Sequence, residues 1–412
     1  MRQGDGVKPA SKALLRLTPT PMSNTCAFLP LCHCALCHIL LAHSHTNQEA
    51  FIMELGYFTM PLHPPGSDVS QTMEDDIEQL VVLDQLGYTE AWIGEHFTSV
   101  WENIPAPDLF IANALGKTKN IRLGTGVTCM PNHNPFMIAH RIAQLDQMAQ
   151  GRFMWGVGSG GFVGDFTVFG FDPESGEHRG MARDSVETIL KIWDDPKPGV
   201  YEHKFWRFEI PEPVEDVGLA FHMKPYQKPH PPIGVAGVSP KSETLYLAGE
   251  RGWIPMSINL VPVHQLATHW ESVSEGAERT GRTADRATWR IAREVYVAET
   301  TEQARTDMLE GVFARDFNQY FKPLLSHMGQ LGLMKTDPDM PDEEVTPEYL
   351  LDNIWIVGSP DEVADSLRYI YEQVGGFGVL LAMGHEWQPK DKWTRSMTLL
   401  KEEVLPKLAD LN

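Results

Sequence analysis

The sequence predicts an α/β protein built as one (β/α)8 TIM barrel with insertions, occupying residues 53–412. Three observations carry this. From Met53 onward, short apolar runs alternate with stretches of helical periodicity, eight times over. Polar and glycine-rich residues collect where an apolar run hands over to a helix, which in a parallel barrel is a single rim. No GxGxxG turn follows the first strand, which disfavours the alternative of a doubly wound dinucleotide-binding sheet.

The first strand is expected over 55–60, with a Pro- and Gly-rich loop after it. Ile77, Leu80, Val81, Leu83 and Leu86 then recur at helical spacing until Gly87 stops the helix. The second strand begins at Ala91 and ends on Glu95 and His96, and a helix restarts over 107–115. The third strand is read over 121–129, and the helix over 136–148 sets Ile138, Ile142, Leu145 and Met148 on one face. A fourth strand follows over 153–157 and a helix over 181–193. Residues 196–231 interrupt the rhythm with prolines and aromatics, as a lid or hairpin near the mouth would. The rhythm resumes with strands at 233–236, 253–258, 289–298 and 377–383. The intervening helices are expected from about 240, 263 and 301, and Ser359 caps a helix that opens on Pro360. Residues 324–347 read as a second, polar insertion.

Residues 1–52 differ from the rest. Four of the five cysteines lie there, among histidines, in a spacing that fits no zinc pattern; Arg16 before an apolar run offers a cleaved-signal reading. The reading adopted is a leader that is disordered or a start-site artefact, with the folded chain opening at Met53. The single cysteine beyond it, Cys129, excludes a disulfide framework and suits a reducing cytoplasm. The formal net charge is −21; residues 1–52 contribute +2, leaving −23 on the remainder. A surface that acidic repels nucleic acid and anionic membranes, and nothing in residues 53–412 is apolar enough to span a bilayer. No metal site is expected in the folded part.

The strand ends carry the chemistry. After the second strand stands His96, which on its own would read as a loop cap. The third strand ends in Gly124-Thr125-Gly126-Val127 and leads to Met130, Asn132 and His133, where Gly126 allows close backbone approach or serves tight packing. The fourth ends in Gly158, Ser159 and Gly160, within a run of five glycines whose amides can face a ligand or simply turn the chain. After the fifth come Gly237, Ser239, Lys241 and Ser242, a phosphate cradle at a helix start, or an N-cap at Ser239 with Pro240 in the first turn. Tyr57 on the first strand and Ser257 on the sixth join the cofactor set. Trp101, Met130, His133, Met256 and Met383 are expected to line a mostly apolar substrate pocket. One phosphate anchor in such a pocket suits an aromatic phosphorylated cofactor. No carboxylate pair, HExxH or serine elbow stands out for hydrolytic chemistry.

Three runs, Trp92-Ile93-Gly94-Glu95-His96-Phe97, 145–153 (LDQMAQGRF) and Asp165-Phe166-Thr167-Val168-Phe169-Gly170, together with Val357-Gly358-Ser359-Pro360-Asp361-Glu362, resemble the bacterial luciferase-like flavin monooxygenases. Glu95-His96, Trp101-Glu102 and the run 121–127 look most like the limonene monooxygenase branch. The resemblance runs from about Met53 to the C-terminus. It implies a TIM barrel that takes reduced FMN from a separate NAD(P)H-dependent flavin reductase and uses O2, through a flavin hydroperoxide, to oxygenate a small hydrophobic terpene, ketone or aldehyde. It implies a homodimer, and a cytoplasmic protein. His96 matches the family's acid/base histidine, Asp165 the acidic residue after the fourth strand, Gly126-Val127 a non-prolyl cis peptide under the flavin, and Ser239 and Ser242 the phosphate region. In two places the chain departs from luciferase: Phe97 stands where a second histidine is found, and Ser159 where an arginine helps hold phosphate. A deazaflavin-dependent hydride-transfer enzyme, or a flavin-binding relative without turnover, would use the same barrel.

Overall fold

The computed structural model describes residues 53–411. Its centre is eight parallel strands: β1 (Glu54–Thr59), β2 (Glu90–Ile93), β3 (Arg122–Thr125), β4 (Phe153–Gly158), β5 (Ile233–Gly237), β6 (Ile254–Ser257), β7 (Arg290–Arg293) and β8 (Val379–Gly384). They pair in that order, β1 returns to β8, and β3 pairs with β4 to complete the closed ring. Helices α1 (Val69–Leu86), α2 (Pro107–Leu115), α3 (Pro135–Ala149), α4 (Glu177–Asp194), α5 (Glu243–Arg251), α6 (Val263–Arg279), α7 (Thr301–Glu310), α8 (Pro360–Val374) and α9 (Lys390–Leu399) form the outer layer. The strand ends are level: Thr59 pairs with Gly384 and with Ile93, and Ile93 with Thr125. Residues just beyond them therefore share one rim.

Side chains alternate between barrel interior and helix layer. Trp92, Met154, Met256, Ala292, Val379, Leu381 and Met383 pack together inside, with Phe58, Val127 and Ile254 against them. Trp92 is fully buried and fills space left by glycines: a Cβ on Gly124 would stand 2.6 Å from its ring, and one on Gly234 2.8 Å. Below it, Glu90 accepts hydrogen bonds from Trp92 Nε1 (2.8 Å), Arg290 Nε (3.0 Å) and Nη2 (2.9 Å), and Arg122 Nη2 (2.9 Å). Burial alone would raise the Glu90 carboxyl; Arg290 and then Arg122 outweigh it and hold the group below its usual range. The barrel is closed at this end by an ion cluster and an indole.

Several expectations need adjustment. The third strand is shorter than 121–129: it leaves the ring at Thr125, passes a cis peptide at Gly126-Val127, and continues as Thr128–Cys129, paired only with β4. The seventh also divides, with Val295–Val297 pairing with Ile356–Gly358 in a separate small sheet. Met148 is 52% exposed, and Ala149 takes the buried position at the end of α3. The helix from 301 breaks at Gly311 and resumes as Val312–Asp316, a wide turn over Phe317–Phe321, and Lys322–His327. Residues 196–231 hold a hairpin, Gly199–Glu202 with Arg207–Ile210, that climbs the outside of the barrel. Its Phe208 meets Phe136 of α3, and His203 and Lys204 pair with Asp184 and Glu177 of α4. The insertion returns at the far end, where Gln227 hydrogen-bonds Asp146 through both backbone and side chain. No helix among the described residues is long and apolar enough to cross a membrane. The leader, with its cysteines and histidines, lies outside the described residues.

Candidate active site

The rim beyond β2 is organised by two carboxylates. Asp165, in the short helix Val163–Phe169, accepts from Phe97 N (3.1 Å), Thr98 N (3.0 Å) and Thr98 Oγ1 (2.7 Å). It is buried, and its oxygens are engaged by the loop that carries His96, so its position is that of a residue holding the loop rather than meeting a substrate. Glu102 is the partner of His96: Nδ1 lies 2.5 Å from Glu102 Oε2, and the other Glu102 oxygen accepts from the Tyr320 hydroxyl. Burial would drive the proton off His96, but the Glu102 charge and hydrogen bond outweigh it and raise the imidazole above its ordinary range. His96 is thus half of an imidazole–carboxylate pair, not a lone neutral imidazole. Its ring stacks on Phe162 at 4.6 Å, and Trp101 stacks on Tyr320 at 5.6 Å.

Glu95 joins the loops after β2 and β3. Its Oε1 meets His133 Nε2 at 2.9 Å and accepts from Cys129 N at 3.3 Å. His133 and the preceding Asn132 are half-buried at the rim. Beside them the wall is bare backbone. A Cβ on Gly158 would stand 2.5 Å from Val127 and one on Gly126 3.0 Å from Phe58, so both positions are packed from behind; one on Gly160, at φ +77°, would stand 3.6 Å from Phe166, and Gly161 faces open space. Ser159 lies half-buried between them.

The turn after β5 is held from behind. The N-cap of α5 is Ser242, which accepts from Leu245 N at 3.4 Å, so the helix starts three residues later than expected. Ser239 is exposed, and Lys241 takes a left-handed φ of 52°. Trp289 Nε1 donates to Ser257 Oγ (2.9 Å), which meets His269 Nδ1 (2.9 Å), and His269 Nε2 donates to the Ser239 carbonyl (3.1 Å). Burial pushes His269 down to about 4, so it is neutral and this single hydrogen-bond direction is the stable one.

Besides Asp165, five site assignments change with these positions. Tyr57 faces the helix layer, donating to Gln79 and accepting from Trp387, because alternation along β1 turns Phe58 inward instead. Ser257 likewise points outward and reaches the turn after β5 only through His269. Met130 is wholly buried in the layer between strands and helices. Met256 and Met383 do point inward, but at 2% exposure each they form the barrel floor rather than a pocket wall. The residues that sequence reasoning missed are Tyr320 and His269. Tyr320 arrives on the segment after Gly311; a glycine inside a helical run was the available signal that the chain turns there.

A family profile described as luciferase-like monooxygenase matches residues 53–376. Among curated proteins, the chain is 36% identical to 4-hydroxyprotoasukamycin monooxygenase of Streptomyces nodosus subsp. asukaensis, over 86% of this chain and 92% of that one. It is 31% identical to limonene 1,2-monooxygenase of Rhodococcus erythropolis, over 86% of each chain. Among solved structures, it resembles the oxygenating constituent of 3,6-diketocamphane monooxygenase from Pseudomonas putida, a type II Baeyer-Villiger monooxygenase in complex with FMN. The TM-score is 0.80 at 32% identity, covering 86% of this chain and 98% of that one.

Proposed function

The chain belongs to the luciferase-like monooxygenase family, and from that premise we propose that it uses reduced FMN, delivered by a separate NAD(P)H-dependent flavin reductase, and O2 to oxygenate a small hydrophobic organic molecule: a terpene, ketone or aldehyde. The observation that carries this is the His96–Glu102–Tyr320 relay standing on the same rim as a glycine wall and a braced serine turn. The residues fit a flat phosphorylated cofactor. Gly158, Gly160 and the cis peptide Gly126-Val127 set backbone groups at the rim beside β3 and β4, and Gly237, Ser239 and Ser242 offer amides and hydroxyls for a phosphate. Reduced FMN, when bound, supplies the electrons that activate O2.

The chain's own residues do the rest. Glu102 occupies His96 Nδ1, so proton exchange falls to Nε2. Tyr320 and Ser99 fix Glu102 from the other side, through the Tyr320 hydroxyl. Trp101 and Phe162 exclude water around the pair. Asp165 keeps the loop in register by taking its amides. The test is anaerobic titration with reduced FMN, then admission of air with a panel of terpenes, ketones and aldehydes. Reduced-FMN-dependent O2 uptake with oxygenated product is expected. Hydride transfer without O2 uptake would move the reading to the deazaflavin class.

A further inference from the structure

At the far side of the same rim, a buried polar residue lies one or two positions beyond the ends of β6, β7 and β8: Asn259, Glu294 and His385. Along β7, Arg290 reaches the inner Glu90 and Ala292 belongs to the inner cluster, so alternation turns Glu294 inward at the top of the barrel. Asn259 Nδ2 donates to Glu294 Oε1. The other oxygen, Oε2, is buried without a partner, and so is His385 Nε2. His385 cannot turn to satisfy it, because Nδ1 is held 2.8 Å from Asp316 Oδ2, and Asp316 is itself fixed by Arg315 at 2.7 Å. Two buried polar atoms on neighbouring strands, unbonded to each other and to anything else, are costly unless a ligand meets them.

We propose that Glu294, with Asn259 and His385 behind it, is the anchor for the carbonyl oxygen of the substrate, so that this enzyme's substrates are oxygen-bearing rather than plain hydrocarbons. This rests on the monooxygenase reading and narrows it. The bond direction follows from the geometry. Because Oε1 accepts from Asn259, a proton on the neutral carboxyl sits on Oε2, the oxygen that has no partner within the protein. A carbonyl oxygen there accepts from Oε2–H. Burial, the dominant influence, keeps the Glu294 carboxyl above its usual range, while the charged groups bearing on it, His385 and Arg293, pull the other way. Arg293 forms no ion pair with it; its guanidinium caps the carbonyls of Ile258, Val261 and Ala292. Asp316 and Arg315 stand behind His385. The β3–β4 side, which carries the cis peptide Gly126-Val127 and is read above as the cofactor's, lies across the ring of strands from β7, which leaves the Glu294 side for the substrate.

The experiment binds camphor to the full chain, with bornane, the same skeleton without oxygen, as control. Two quantities are read: the dissociation constants and the infrared C=O stretch of bound camphor. In the native protein the stretch should fall below its value in an apolar solvent. Glu294→Leu should abolish that shift and weaken camphor about tenfold, one hydrogen bond's worth, while bornane is unaffected. Camphor affinity should decline as pH rises in the native protein and be flat in Glu294→Gln, whose amide still donates. An unshifted stretch, no preference for camphor over bornane, or equal losses for both would overturn the anchor and leave bound water or packing as the role. If Glu294→Leu does not fold, the stretch and pH profile of Glu294→Gln decide alone. Reduced-FMN-dependent O2 uptake is measured on the same preparations. Uptake without a camphor signal defeats only the anchor; the signal without uptake keeps the anchor and defeats the monooxygenase reading.

Discussion

Glu90 and Glu294 occupy the two ends of one barrel interior, both almost wholly buried, both placed there by strand alternation. At the closed end, Glu90 spends its oxygens on two arginines and an indole N–H. At the open end, Glu294 has one amide and an unmet oxygen. The neighbours therefore push the two carboxyls in opposite directions, Glu90 down and Glu294 up. The difference separates the two ends of the barrel: at the bottom the inward carboxylate is fully paired, and at the top, the end where such barrels place their active sites, one inward carboxyl keeps an oxygen without a partner.

The largest effect should come from breaking the paired end. Glu90→Gln leaves Arg290 buried beside a neutral amide and is expected to cost about 3–5 kcal/mol in a urea titration. A loss below about 1 kcal/mol, the level of an exposed pair, would erase the contrast between the two ends.

At the open end the cost should appear in turnover instead. His96→Ala is expected to lower product yield about a hundredfold, the scale of one general acid–base residue, with FMN affinity and urea midpoint near native. Tyr320→Phe should reproduce part of that loss. Native yield in His96→Ala would remove the relay from the mechanism.

Next in size is the braced turn. Ser242→Ala removes an N-cap worth about 1 kcal/mol. Paired with Ser239→Ala it should weaken FMN while sparing riboflavin, read by fluorescence titration; equal weakening of both ligands would take the phosphate away from this turn.

The smallest effect is the most diagnostic for the comparison, because its sign differs at the two ends. A carboxyl held low contributes stability above its unfolded pKa of about 4.3 and loses it as pH falls through the folded value. Glu90→Gln should therefore flatten the acid limb of a stability–pH curve. A carboxyl held high favours the fold below that pKa and loses the contribution as pH rises through its raised value, so Glu294→Gln should flatten the alkaline limb. His63 adds to that limb in both proteins. Burial would lower it, but Asp76 and Glu386 lift it to about 9, and its contribution, full below about 6.5, fades through pH 9. The comparison is thus between Glu294→Gln and native, not with a flat line.

Periodicity gave the eight strands and the rim on which His96, His133, Gly158 and Ser242 all stand. It did not give facing. A strand alternates with period two, so an offset of one residue exchanges Tyr57 for Phe58 and Ser257 for Met256, and nothing local to either strand states which member is inside. Nor could spacing along the chain pair Glu102 with Tyr320, which approach only because the chain breaks at Gly311 and folds back over the mouth. His269 was invisible for a related reason. Its contact with the turn after β5 is through the Ser239 carbonyl, and a carbonyl leaves no mark in a sequence.

The indole of Trp92 has one more consequence. With the barrel stopped beneath it, reactants have no rear exit, and the reaction zone is a blind alley with a single doorway. The stacked pair Trp101 and Tyr320 stands at the lip of that doorway.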